Sequence, residues 1–209
     1  MVDKKCKICR RIGEKLFLKG EKCFTPKCPF NTRPYPPGKL SSERKHKAAI
    51  SEFGLQMREK QKIRNLYGIS EKQFANYVKA STKNISKTFS PSLLLYRTLE
   101  SRLDNIVFRM GLSQSRALAR QIVNHGHIKV NNKKLDIPSY LVKLNDLISI
   151  RPGSLQTKLF SDISNKIKEV STPAWLEYDK TKITAKILGG PNEIEVGLDL
   201  AKVLEFYSK

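Results

Sequence analysis

Apolar residues recur at helical spacing through the middle of the chain, then switch to alternation after residue 126. From Ser51 to Leu66 the run is made of good helix formers (Leu55, Gln56, Met57, Arg58, Glu59, Lys60, Gln61, Lys62), and Tyr67-Gly68 supplies a stop. Ser70 with Gln73 three residues on is a capping-box pattern, opening a helix whose inner face is Phe74, Tyr77 and Val78. Ser90-Pro91 starts the clearest predicted helix, since proline at the first helical position lacks a donor that would be unused anyway. Its inner stripe is Leu95, Leu99, Leu103, Ile106, Val107 and Met110, and Gly111 ends it. Ser113 is the expected cap of the next helix, with Ala117, Leu118, Ile122 and Val123 inside and Arg116 and Arg120 sharing one face at four-residue spacing.

The alternating stretch His127-Ile128-Lys129-Val130, the pair Asn131-Asn132 and Lys133-Lys134-Leu135 predict a hairpin, because asparagine tolerates the positive φ that tight turns need. Leu147-Ile148-Ser149-Ile150 predicts a further strand after the Asn145-Asp146 turn. Residues 157–169 return to a helical pattern (Leu159, Ile163, Ile167), Ile183 to Leu188 and Ile194 to Val196 predict short strands about Gly189-Gly190-Pro191, and Asp199 caps a last helix. No internal repeat appears. The expected class is α+β: a mostly helical body with an inserted small α/β module (helices plus short β-strands) and an organised amino-terminal extension. The expected divisions are 1–45 for the extension, 46–98 with 154–209 for the body, and 99–153 for the module.

With 209 residues and 39% hydrophobic content the chain can bury a core, and no apolar run approaches the roughly 18 residues that cross a bilayer. Charge changes the picture more than hydropathy does: 40 Lys+Arg against 19 Asp+Glu give a net +21, which calls for a polyanionic partner. The excess lies wholly before residue 154, and residues 154–209 carry as many acidic as basic groups. A membrane surface would require a basic amphipathic helix or a lipidation signal, and neither is evident. The start Met1-Val2-Asp3-Lys4-Lys5 places charges where a signal peptide has its apolar core, so a cytoplasmic protein of bacterial or organelle origin is expected.

Residues 1–40 hold all four cysteines and five of the ten prolines, so long helices are excluded there and something other than a core is expected to organise the segment. Cys6-x₂-Cys9 and Cys23-x₄-Cys28 have the spacing of a closed tetrahedral zinc site, and one structural zinc ion on Cys6, Cys9, Cys23 and Cys28 is the expectation. Buried free thiols, two disulfides and an iron–sulfur cluster are the competing readings, with a reducing compartment weighing against disulfides. An ordered extension would display Lys7, Arg10, Arg11, Lys15, Lys19, Lys22 and Lys27 to a partner. In the module, Arg116 and Arg120 beside His125, Lys129 and Asn131 make a basic surface suited to structured RNA, which is bound through phosphates, 2′-hydroxyls and shape. The plainer alternatives are a solvated helix face for Arg116 and a capping or packing role for His125.

Taken together, Cys6-x₂-Cys9-Arg10-Arg11, Lys15-Leu16-Phe17-Leu18-Lys19-Gly20, Arg33-x-Tyr35-Pro36-Pro37-Gly38, Ser51-Glu52-Phe53-Gly54-Leu55-Gln56, Arg102-Leu103-Asp104-Asn105 and Glu205-Phe206-Tyr207-Ser208-Lys209 resemble the zinc-bearing form of the bacterial small-subunit ribosomal protein S-four family. Residues from about Leu99 to Pro152, with Ser115-Arg116-x₃-Arg120-Gln121 and His125-Gly126-His127-Ile128-x-Val130-Asn131, are similar to the RNA-binding module named after it. One departure is Asn132, where the family usually has glycine, and asparagine also accepts that turn.

The resemblance implies a primary binder of 16S rRNA that nucleates assembly of the 5′ domain, contacts ribosomal protein S-five and other small-subunit proteins, and in some members represses its own message. It adds Arg58, Lys62 and Arg102 to the RNA-binding candidates, and it implies that Arg44, Lys45 and Lys47 face mRNA at the entry channel of the small ribosomal subunit. It implies no small-molecule substrate and no enzymatic activity.

Two rivals belong to other classes. Arg102-Leu103-Asp104 resembles the catalytic triplet of pseudouridine synthases, but Asp104 is expected as a helix-surface partner of a nearby base, and too little chain remains for a catalytic cleft. A zinc-dependent DNA-binding regulator would need a recognition helix, which is not visible.

Overall fold

Serine caps and glycine stops divide the helices much as their pattern requires. The computed structural model describes residues 4–38, 49–83, 89–157, 159–160 and 171–208. Arg44, Lys45 and Lys47, and most of the helix predicted over 157–169, lie outside the described residues. The chain divides into two compact units, Met1–Ser92 with Glu195–Lys209, and Leu93–Ile194.

In the first unit, α1 (Lys4–Ile12), a 3₁₀ turn (Gly20–Cys23) and α2 (Pro29–Thr32) precede α3 (Glu52–Tyr67) and α4 (Glu71–Lys83). Ser51 caps α3 by accepting from the Gly54 amide at 3.2 Å, and Gly68 ends it at φ 64°, a left-handed value that glycine adopts freely. Ser70 accepts from the Gln73 amide at 3.3 Å, but the Gln73 side chain turns to the Tyr77 hydroxyl, so only half of the capping box forms. The carboxyl-terminal helix, α9 (Leu200–Ser208), is capped by Asp199, which accepts from the Lys202 amide at 3.1 Å. It packs on α3 and α4 through Phe206 against Phe53, Tyr207 edge-on to Phe74, and Gln56 donating to Glu205 at 3.0 Å.

In the second unit the single helix expected from Pro91 to Met110 is two, α5 (Pro91–Glu100) and α6 (Leu103–Arg109). The break is a tertiary effect. The Leu103 and Asp104 amides donate to the carbonyls of Tyr140 and Pro138, the Val142 amide donates to Ser101, and Arg102 bridges Leu141. Backbone groups that a continuous helix would have paired internally are thus spent on the segment 138–142. The following helix, α7 (Arg116–Asn124), is capped by Ser115 rather than Ser113, and Ala119 rather than Ala117 faces the core.

The predicted hairpin forms as β1 (Ile128–Val130) and β2 (Lys133–Lys134), with Asn131 and Asn132 both at positive φ. Together with β3 (Leu147–Ile150), β4 (Leu176–Asp179) and β5 (Thr184–Ile187) they make an antiparallel sheet in the order β2-β1-β3-β5-β4. A short helix, α8 (Pro152–Leu155), follows β3. The sheet's inner residues, including Ile128, Val130, Ile148, Ile150, Ala185 and Ile187, pack with Leu103, Ile106, Val107, Met110, Ile122 and Val123 of α6 and α7 in one core. Trp175 is half-buried against that core. The strand expected over Ile194–Val196 is absent: these residues join no ladder, and Val196 is fully exposed. The observed pattern is therefore mixed helices with a small antiparallel sheet, as the α+β reading requires.

Candidate nucleic-acid interface

Helix α7 turns Ala119, Ile122 and Val123 inward, and its 3.6-residue period then sets Arg116 and Arg120 together on the flank of that inner face, where both are half-buried. Both are steered by a buried polar network. Glu100, 1% exposed, receives two bonds from Arg109, at 2.9 and 3.1 Å, and one from the Asn105 amide at 3.0 Å. Asn105 in turn accepts from the Arg116 Nε at 2.9 Å, and the Arg116 guanidinium lies 4.6 Å from the Phe108 ring centre. Arg120 stands 3.9 Å from the Asp104 carboxylate, with more than a third of its side chain exposed. Glu100, Asn105 and Arg109 were missed by sequence reasoning; the available signal was polar residues at positions that an apolar stripe would otherwise occupy.

Arg102 and Asp104 are placed differently from expectation. Arg102 is fully buried and grips Asp104 with two bonds, at 2.6 and 3.0 Å, and Asp104 is itself buried rather than on a helix surface. Such a pair is tolerated inside only because each charge has its hydrogen-bonded partner. Arg102 is out of reach of a phosphate and orders the loop around it.

At the far end of α7, His125 is exposed at the helix cap, and His127 is half-buried with Nδ1 2.9 Å from Ser154 Oγ and its ring edge-on to Phe160. Burial pushes the His127 pKa down, and the neighbouring His125 and Arg151 push it further. Lys129 points outward from the middle of β1. Asn131 uses both ends of its amide internally, donating to Asp146 at 2.7 Å and accepting from the Leu147 amide at 2.9 Å, so it locks the hairpin to β3.

In the amino-terminal segment Arg11 and Lys22 are exposed and Lys15 and Lys19 half-exposed. Arg10 is buried instead, donating to the Tyr35 carbonyl at 2.9 Å and lying over its ring. Arg58 donates to the Ile12 carbonyl at 2.6 Å and sits across Gly13, whose φ of 83° ends α1. Lys62 is buried and bonded to Glu14 at 2.6 Å. These last three cations hold α1 and its flanks in place.

Residues 1–100 match the model described as the Ribosomal protein S4/S9 N-terminal domain, and residues 101–148 match the S4 domain. The chain is 42% identical over 206 residues to the small ribosomal subunit protein uS4 of Caldicellulosiruptor saccharolyticus, covering 98% of this chain and 96% of that protein. The chain belongs to the uS4 family. Other uS4 proteins of similar likeness come from Thermotoga petrophila, 43% identical over 207 residues, and Acetivibrio thermocellus, 44% identical over 206, each covering 98% of this chain and 96% of the relative. As a uS4 protein the chain is a structural, non-enzymatic component, and the Asp104 carboxylate that resembled a catalytic group is held in its ion pair.

The expected zinc site is corrected. Among the described residues no group of three or more His, Cys, Asp or Glu is arranged to hold a metal ion, and the four cysteines do not fit one. All four are buried free thiols lining a small cavity with Phe17, Leu18 and Phe30. Burial pushes the Cys9 thiol up, and the other three cysteines add to it. What organises the segment is a small apolar cluster of Cys9, Ile12 and Leu16 with Ile8, Leu18 and Phe30, in which the thiol acts as a small hydrophobe. No helix among the described residues is long and apolar enough to cross a membrane.

Proposed function

We propose that this protein is a structural constituent of the small ribosomal subunit that binds 16S rRNA. The observation that carries the reading is the uS4 match along essentially the whole chain, joined to cations held along one flank of α7 by a buried network. Positioned guanidiniums meet phosphates without the entropy of ordering a free side chain, as recognition of a folded RNA by shape and backbone requires.

The finer roles in this proposal are nucleation of 5′-domain assembly, contact with ribosomal protein S-five, a place beside mRNA at the entry channel through Arg44, Lys45 and Lys47, and repression of its own message. The division into an extension (1–45), a body (46–98 with 154–209) and an RNA-binding module (99–153) is likewise part of it, with Arg11, Lys15, Lys19, Lys22, Arg116, Arg120, His125 and Lys129 as contacts. Sedimentation of a lysate through a magnesium-containing sucrose gradient is the test. One copy per small subunit is expected, and a protein that stays at the top of the gradient would refute the proposal.

A further inference from the structure

The register of the sheet aligns four polar side chains that neither α7 nor the hairpin turn explains. Lys134 of β2 is opposite Lys129 of β1, Lys129 is opposite Ser149 of β3, and Ser149 is opposite Thr184 of β5. Residues directly opposed across antiparallel strands share a face, so the four form one row, about 14 Å long at ~4.8 Å per strand. Their neighbours Ile128, Val130, Ile148, Ile150 and Ala185 are buried, which places the row on the face turned away from the core.

Two details make the row more than a solvated surface. Like charges directly opposed on paired strands destabilise the ladder, and Lys129 faces Lys134 on one side and an uncharged serine on the other. Among the described residues neither lysine is in an ion pair. The stem of the exposed Lys134 also passes over Gly126, where φ is +70° and the absence of a Cβ leaves room for it. The row meets a carboxylate only at its far end, where Asp179 of β4 opposes Thr184.

We propose that this outer row is a track for an RNA sugar–phosphate backbone, phosphate lying between Lys129 and Lys134 and the sugar hydroxyls meeting Ser149 and Thr184. The proposal rests on the RNA-binding reading above and extends the contact from α7 onto the sheet. Two ammoniums whose repulsion a bound phosphate would relieve supply the charge complementarity, and two hydroxyls that both donate and accept suit a 2′-OH. The row contains no aromatic platform, so bases are not its target.

The test uses the full chain and a transcript of the small-subunit rRNA 5′ domain, with affinity measured across a salt series. The Lys129→Gln/Lys134→Gln variant is expected to bind about tenfold more weakly near physiological salt and to lower the salt slope by about one, for the one phosphate lost. Its thermal midpoint should hold or rise, because a repulsive pair is gone. Ser149→Ala/Thr184→Ala should reduce the preference for the RNA over a DNA strand of the same sequence severalfold.

Unchanged affinity and slope in the lysine variant would overturn the proposal and leave the lysines as charges that blunt an edge strand. A photo-crosslinker at position 149 that captures protein instead of rRNA in the assembled subunit would overturn it in favour of a protein neighbour. Failure of the unaltered chain to bind would instead sink the RNA reading itself.

Discussion

His127 shows how one side chain is tuned by what surrounds it. Its imidazole is half-buried against Phe160, and burial first, then the electrostatic influence of His125 and Arg151, holds its folded pKa below the ordinary 6.5. The unfolded chain therefore binds the extra proton more readily. This contribution to stability is complete above about pH 6.5 and is lost as the pH falls through the folded value. Urea midpoints measured from pH 7.5 down to 5 should decline, and His127→Gln should flatten that decline. Asn131 teaches a related lesson. Its place in a basic hairpin suggested RNA contact, yet both its amide atoms are used to lock β1 to β3, and only the fold reveals that.

Between α5 and α6, the buried Arg102–Asp104 pair stands where a continuous helix was expected. Removing one partner strands the other charge in the interior, so Arg102→Ala is expected to lower stability by about 3 kcal/mol or more in denaturant unfolding. Arg102→Met with Asp104→Leu should recover much of that loss, because apolar groups of similar size leave no charge unpaired. A second element-level contact fastens α9. Burial disfavours ionised Glu71, but bonds from Lys60 and the Tyr207 hydroxyl outweigh it and hold the carboxylate below its usual range. Because that folded pKa is depressed, the docking of α9 is fully supported above about pH 4.3 and weakens as the pH falls through the folded value. Glu71→Gln should remove this acid dependence and raise amide exchange across residues 200–208 at neutral pH.

For the whole molecule, a net charge of +21 confined to residues before 154 makes binding to rRNA chiefly a matter of counterion release. Six or more phosphate contacts would reduce affinity by about 10³-fold or more between 50 and 200 mM salt. Filter binding over that range is the measurement, and a flat response would contradict the polyanion argument.

Local chemistry was legible in the sequence: the caps at Ser70 and Asp199, the stop at Gly68, the Asn131-Asn132 turn, and the shared face of Arg116 and Arg120 all depend on residues a few positions apart. The family was legible too, because its motifs are spread along the chain. Tertiary structure alone decided the rest. The break at Ser101-Arg102 needs carbonyls from 138–142, β4 is a strand only because β5 pairs with it, and the burial of Arg10, Lys62 and Arg102 and the bond of Arg58 to Ile12 depend on partners brought from elsewhere in the chain or held in a folded turn. The cysteine spacing suggested a metal, but spacing along the chain does not set the geometry of four thiols in space, and folding buries all four about a small cavity, with Cys9 in an apolar cluster. Short-range periodicity and capping are properties of the chain itself, whereas burial and long-range pairing exist only once distant segments meet.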